Sequence, residues 1–283
     1  MSYSPSPRPT FERTTAIPYA SVTRYLWGDA EAGEVADWIY VSSGRIHQIV
    51  FGLEPGGWFR HSDAFRTIFA ADEVFHVLAG TMIIANPETG EVHQVRAGES
   101  AFFRRDTWHH VFNEGPEELR VLEVFAPPPS TGTSGKYAQS KPNLTDSRYV
   151  RDDLLGRWPM ARAEVEATNT IQVVRDPDLL WRYEGTTDRT LVGLVCATDH
   201  LTAGTITLQP GQRSDFHAHG GDESLLVSKG TVFLEAHDPD GRTWLELGRH
   251  DGAYVPSGVS HRYWNRSSSP AEIVFAVAPE YLP

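Results

Sequence analysis

The sequence predicts an all-β chain built from two copies of one strand-rich unit, with few and short helices. Three observations carry this expectation. Short apolar runs are separated by turn signals, as at 81–85, 86–90 and 92–95, and the same rhythm returns at 231–236, 238–241 and 243–247. Within those runs apolar and polar residues alternate with period two, the signature of strands with two unlike faces. Glycine and proline are frequent, 24 and 19 of 283 residues, which favours turns between short strands over long helices. Only around 151–167 does the pattern admit a short helix.

The chain also repeats itself. Glu73 to Gly80 aligns with Glu223 to Gly230 at an offset of 150, and His109 to Asn113 with His261 to Asn265 at an offset of 152. Pro127 matches Pro279, and Leu53 to Gly56 matches Leu208 to Gly211. The organisation read from this repeat is a first unit over 1–135, a linker over 136–165 and a second unit over 166–283. The stretch from Pro127 to Gly135 is loop-like in composition, and the linker is expected to fold over the surface of one unit.

Composition removes several classes of function. Hydrophobic residues at 40% and charged residues at 22% describe a folded globular chain. No stretch approaches the roughly 20 apolar residues that a membrane helix needs. The Ser- and Pro-rich first ten residues lack the apolar core of a signal peptide, so a soluble, cytoplasmic protein is expected. A net charge of −12 without a basic stripe disfavours nucleic acid. The single cysteine, Cys196, can form no internal disulfide and is expected to be a small buried hydrophobe. No phosphate loop, serine nucleophile elbow, HExxH or helix-turn-helix segment occurs.

The second copy carries the chemistry. Gly211, His217, His219, Glu223 and Gly230 have the spacing G-x5-H-x-H-x3-E-x6-G, followed by Pro256, Gly258, His261 and Asn265 as P-x-G-x2-H-x3-N. His217 and His219 are two apart on an extended segment and point the same way. Glu223 follows a Gly-Gly-Asp turn and can face the same pocket, which His261 closes from a distant strand. Three imidazoles and a carboxylate suit a divalent first-row metal, and an octahedral ion would keep about two positions for water or substrate. By the same parity Leu225 and Val227 share a wall with Glu223, and Tyr263 and Asn265 share one with His261. Arg213 and Phe216 are placed at the mouth as substrate-binding candidates, and Tyr263 as a proton or hydrogen-bond donor, with Glu223 as a base if it detaches.

The first copy is degenerate. Counting back from Glu73 by the second copy's spacing lands on Thr67 and Phe69 instead of two histidines. Glu73 and His109 remain, and His61 and Asp63, inside a longer loop, are candidates to replace the missing pair. His61, Glu73 and His109 thus make a vestigial second site, with loss of the metal as the simpler outcome. His76 and His110 face away from the pocket by alternation.

These motifs resemble those of the cupin superfamily, and every ligand position of the C-terminal copy matches. One departure is His250, where the family has glycine; Gly252 is expected to serve that turn instead. The resemblance implies two double-stranded β-helix (jelly-roll) barrels in one chain, with one divalent metal in the second. It favours Fe(II), with Mn, Ni, Co, Cu and Zn also compatible with the donors. Bicupins with this ligand set resemble dioxygenases acting on small aromatic or enolisable dicarbonyl molecules, so a small-molecule substrate and dioxygen are the expected partners. The alternatives are a non-oxidative isomerase, decarboxylase or lyase using the metal as a Lewis acid, and a non-catalytic ligand binder. Oxalate-type decarboxylases usually keep the metal set in both barrels, so the degenerate first copy points away from that subgroup. A homodimer or higher homo-oligomer is expected from edge-strand pairing.

Overall fold

The computed structural model describes residues 7–128 and 140–283; most of the loop expected from Pro127 to Gly135, and the start of the linker, lie outside them. The first repeat supplies β2 (Arg24–Asp29), β3 (Gly33–Ser42), β4 (His47–Leu53), β5 (Trp58–Phe59), β6 (Asp72–Ala79), β7 (Thr81–Asn86), β8 (Glu91–Arg96), β9 (Ser100–Phe103), β10 (His110–Phe112) and β11 (Leu119–Ala126), after a short β1 (Thr15–Ile17). The second supplies β12 (Ile171–Val174), β13 (Leu180–Glu184), β14 (Thr190–Ala197), β15 (Thr202–Leu208), β16 (Asp222–Lys229), β17 (Val232–Asp238), β18 (Gly241–Leu247), β19 (Gly252–Val255), β20 (Ser260–Trp264) and β21 (Ala271–Ala278). Each repeat closes a sandwich-like barrel. A seven-stranded sheet, β12-β9-β6-β11-β4-β3-β2, packs on β5-β10-β7-β8, and its counterpart, β1-β19-β16-β21-β15-β14-β13, packs on β18-β17-β20.

Alternation assigns each face of the large sheets a job. Phe75, Val77 and Val121 point into the first barrel, as Leu225, Val227 and Ile273 point into the second. The opposite faces, with Tyr40, Val74, Leu122, Leu226, Val274 and Ala276, form one apolar cluster that joins the barrels back to back. Cys196 lies in this cluster, its thiol pushed up to about 12 by burial. Gln48 crosses the seam, donating to Leu225 O at 3.3 Å and accepting from Ser224 Oγ at 2.5 Å. His76 is on this side too, bonded to Ser100 Oγ at 2.9 Å.

Strand pairing corrects the boundaries drawn from the repeat. β1 pairs with β19 of the second barrel, Thr15 opposite Tyr254, and β12 pairs with β9 of the first, Ile171 opposite Phe103. Each repeat's leading strand therefore covers an open edge of the other barrel, removing unpaired backbone groups that an exposed edge would leave. The turn at His250 is a second correction. His250 itself adopts the left-handed conformation, φ 70°, as Gly98 does in the first copy at 86°. Gly252 lies in β19, where a Cβ would stand 2.7 Å from the Tyr40 ring.

The expected helix over 151–167 is shorter, a 3-10 turn at Asp152–Leu154 and α1 (Arg162–Thr168). Gly156 at φ 78° and Pro159 break the run between them. Ahead of it the linker lies along the first barrel, with Lys141 Nζ donating to Asp106 O at 3.0 Å and Arg148 Nη2 to Glu88 O at 2.7 Å. Among the described residues no helix is long and apolar enough to cross a membrane.

Candidate metal centre

The segment before β16 carries His217 and His219 beside β20. His217 and His261 exchange backbone hydrogen bonds, N to O at 2.9 and 2.8 Å, which places their rings 4.3 Å apart. Gly258 N donates to His219 O at 2.8 Å from a left-handed turn, φ 77°, and so delivers His261 to the same end of the barrel. The three histidines can each offer a ligand nitrogen with all three atoms within 4.8 Å of one another.

The other ring nitrogens determine what these atoms are. Nδ1 of His217, His219 and His261 lies 3.1, 2.6 and 2.9 Å from the carbonyl oxygens of Asp215, Tyr281 and Val259. A carbonyl can only accept, so each Nδ1 carries the hydrogen and each neutral ring presents the Nε2 lone pair inward. Such an outer contact is the usual means of fixing a ligating imidazole. Glu223 Oε2 is buried without a hydrogen-bond partner, 2.8 Å from His261 Nε2 and 3.9 Å from His219 Nε2. Lone pairs that converge at this range demand a positive charge between them, a proton or a metal ion, so the donor set fits a divalent cation. Glu223 is not within the tight three-histidine group and stands at its side as the fourth donor.

The electrostatics agree. Burial alone would raise the Glu223 carboxyl, but His261, His219 and His217 outweigh it and hold it at about 2. Burial, helped by His261, lowers His217 to about 3. Burial also disfavours the charged form of His261, yet the Glu223 carboxylate raises it on balance. Tyr263 donates a short hydrogen bond to Glu223 Oε1, and its phenol is pushed up by burial and by that carboxylate, so it stays protonated.

A cavity of about 240 Å³ opens beside these groups, walled by Val192, Ile206 and Phe275 and edged by Ser214, Glu184 and Tyr281. No lysine or arginine is among its lining residues. Tyr263 and Phe216 line it, Phe216 under the Arg262 guanidinium at 4.5 Å. The four other substrate-binding candidates are elsewhere. Arg213 turns to Asp188, Nε to Oδ2 at 2.5 Å. Asn265 is fully buried and donates to Leu208 O and Ser269 O, a brace for the turn. Leu225 and Val227 share the inner face with Glu223 but belong to the packed core and do not reach the cavity. Sequence reasoning missed Glu184, Ser214 and Tyr281. Val192, Ile206 and Phe275 were open to parity once the repeat was aligned, whereas nothing local marks a C-terminal tyrosine whose carbonyl braces His219.

In the first barrel the same hydrogen bonds recur, His109 N to Thr67 O at 3.1 Å and Asp106 N to Phe69 O at 2.8 Å. Thr67 and Phe69 therefore occupy the places of His217 and His219, as the spacing count predicts. His61 does not join Glu73 and His109. Its Nδ1 meets His110 Nε2 at 2.7 Å and its Nε2 meets Leu144 O at 2.9 Å, on the outer side of β10. The five-residue-longer loop carries it past the barrel mouth, which corrects the vestigial site to Glu73 and His109 alone.

No curated protein matches this sequence. Among solved structures, a putative glyoxylate-induced protein from Pseudomonas aeruginosa is similar at 13% identity and TM-score 0.66, over 98% of this chain and 93% of that one. An oxalate decarboxylase–formate complex from Lactobacillus farciminis is similar at 13% identity and TM-score 0.62, over 97% and 88%. AerE from Microcystis aeruginosa is similar at 9% and 0.59, over 91% and 97%. At these identities the likeness concerns the fold. The Cupin_2 model, a cupin domain, matches twice, over residues 50–125 and 204–277, and with both barrels so covered the chain belongs to the cupin family as a bicupin.

Proposed function

We propose that the C-terminal barrel is a metal-dependent, non-oxidative catalytic site, of the isomerase, decarboxylase or lyase class, acting on a small carbonyl compound. The observation that carries this reading is the Tyr263 hydroxyl on Glu223 Oε1 at the edge of the cavity, while Oε2 of the same carboxylate faces the histidine Nε2 atoms. A divalent ion held by His217, His219, His261 and Glu223 would supply Lewis acidity to a substrate oxygen. Tyr263 keeps its proton and is the donor to developing negative charge, in a buried setting where such a contact is strong. Val192, Ile206 and Phe275 exclude water from that side of the substrate. Glu184, held by the Tyr281 hydroxyl at 2.9 and 3.0 Å, and Asp215 add further carboxylates to the cavity lining. Three carboxylates, Glu184, Asp215 and Glu223, and no lysine or arginine disfavour a dianion and favour a neutral or singly charged substrate. The decarboxylases among the similar folds lend support to the reaction class rather than to their own substrate.

The test is turnover by metal-loaded protein under strict anaerobiosis across small keto and hydroxy-carbonyl substrates, with Tyr263→Phe alongside. Anaerobic turnover lost in the variant supports the reading. Turnover that consumes oxygen and stops without it overturns it in favour of the Fe(II) dioxygenase alternative.

A further inference from the structure

The interior of the first barrel holds a row of acids that neither the metal centre nor the proposed reaction uses. Asp37 on β3, Glu73 on β6 and Glu123 on β11 all point inward, and each keeps 7% or less of its surface exposed. Strand register identifies two of these positions. Glu123 lies opposite Phe75 as Phe275 lies opposite Leu225, and Asp37 lies opposite Phe51 as Val192 lies opposite Ile206. Asp37 and Glu123 therefore stand where Val192 and Phe275 wall the cavity of the second barrel.

Around them some side-chain surface stays accessible. Asp37, Ile49, Phe69, Glu123 and Phe125 keep 5–9% exposure, whereas Phe75, Val77, Phe103 and Val121 deeper in the same barrel keep none. Phe69 and Phe125 stack 5.5 Å apart and form an aromatic side to this space. Nothing within the described chain neutralises the acids. Asp37 and Glu123 have no hydrogen bond or ion pair to a described residue, and the nearest base to Glu73 is His109 Nε2 at 3.9 Å. Two further acceptors are buried and unpartnered, Glu73 Oε2 and Thr67 Oγ1, the latter at the place of His217. An unpaired buried carboxylate is costly unless it takes a proton or a cation.

We propose that the mouth of the N-terminal barrel binds a small aliphatic amine, its ammonium taken by Asp37 and Glu123 and its carbon chain laid against Phe69 and Phe125. Carboxylates in a row supply acceptors for the three N–H bonds of an ammonium, and aromatic faces add cation–π attraction. A metal ion fits less well. Among the described residues only His217, His219 and His261 bring three ligand atoms close enough to share an ion. The titratable groups facing the space are the three acids, His109 and His47, with Asp72 beside Glu73 and itself bound to Arg104 at 3.1 Å. Burial raises Asp37, Glu73 and Glu123 and lowers His109 to about 4 and His47 to about 3, so it favours the neutral form of each group facing the space. Uptake of an ammonium then expels protons, and affinity rises with pH by about ten-fold per unit for each proton released.

Titration calorimetry of the full chain with 1,4-diaminobutane and butylamine, against neutral 1-butanol, tests this. The expected result is saturable binding of the amines, at least about ten-fold tighter than the alcohol. The heat should depend on the buffer's ionisation enthalpy, reporting proton release. Asp37→Asn with Glu123→Gln mimics the neutral acids, so the fold and the metal content of the second barrel should persist while amine binding is lost. No saturable heat with either amine, equal binding of the alcohol, or binding that survives in the double variant overturns the proposal. A second equivalent of divalent metal that depends on Asp37 and Glu123 also overturns it. None of these outcomes bears on the C-terminal site, whose reading stands or falls separately.

Discussion

The two barrels share a frame and invert its polarity. Glu73 and Glu223 hold the same register position, and both are almost wholly enclosed. Glu223 is surrounded by imidazoles and held down at about 2, whereas Glu73 is raised well above the ordinary range by burial and by Glu123 and Asp72. At the other shared positions, histidines give way to Thr67 and Phe69 and Tyr263 to Val111, while apolar Val192 and Phe275 give way to Asp37 and Glu123. Burial is common to both carboxyls, so burial does not decide their charge. What decides it is the sign of the neighbours.

The comparison can be broken most severely at the second barrel. His261→Ala should remove the bound metal, with affinity falling by more than about 100-fold, because even supporting residues are worth 10–100-fold. Elemental analysis checks this, and His109→Ala should leave the metal content unchanged. If both variants lost metal equally, the barrels would be alike after all.

Tyr263→Phe separates catalysis from metal holding. The ion should be retained while turnover drops by about 10²–10³, the usual worth of a positioned proton donor. A parallel fall in metal content would make Tyr263 a brace for Glu223 and nothing more.

What the barrels share should respond alike. Asn113 donates to Leu53 O and Glu117 O at 2.9 and 2.8 Å, and Asn265 donates to Leu208 O and Ser269 O at the same distances. Replacing either with alanine leaves buried carbonyls unpaired and should cost about 1–3 kcal/mol in each case, read from denaturant midpoints.

The smallest effect is on pH dependence, and its sign differs between barrels. Glu223 and His217 are depressed in the folded state, so their contribution is present above their unfolded values and is lost as pH falls towards about 2 and 3. Asp37, Glu73 and Glu123 are raised, so their contribution is complete at low pH and declines as pH rises from the unfolded carboxylate range through their folded values. Thermal unfolding of Asp37→Val should therefore show a gain over the parent that grows between pH 5 and pH 9, while Glu223→Gln should flatten the acid limb. An unchanged alkaline limb in Asp37→Val would mean that the acids of the first barrel carry charge.

Much of this architecture was legible in the residue order. Strand periodicity and the offsets between Glu73 and Glu223 and between His109 and His261 announce two like barrels, because a β face reads out at every second residue regardless of context. The same parity, with the glycines at 220 and 221 and at 258, brings His217, His219, Glu223 and His261 to one end of one barrel. It also counts correctly to Thr67 and Phe69 across a loop of different length, since hydrogen-bond register, not loop length, sets which residues oppose each other.

Other features were decided only by tertiary structure. β1 and β12 cross to the other barrel because an edge accepts any extended strand that the linker lets reach it. Tyr281, from beyond the last strand, holds His219 through a carbonyl that carries no side-chain signal. Arg213 and Asn265 satisfied the sequence pattern yet went to Asp188 and to two backbone carbonyls, since a polar group bonds whatever partner is nearest in space. Periodicity states which face a residue takes; which groups meet across that face, and hence whether Glu73 or Glu223 carries a charge, depends on distances that only the closed barrels create.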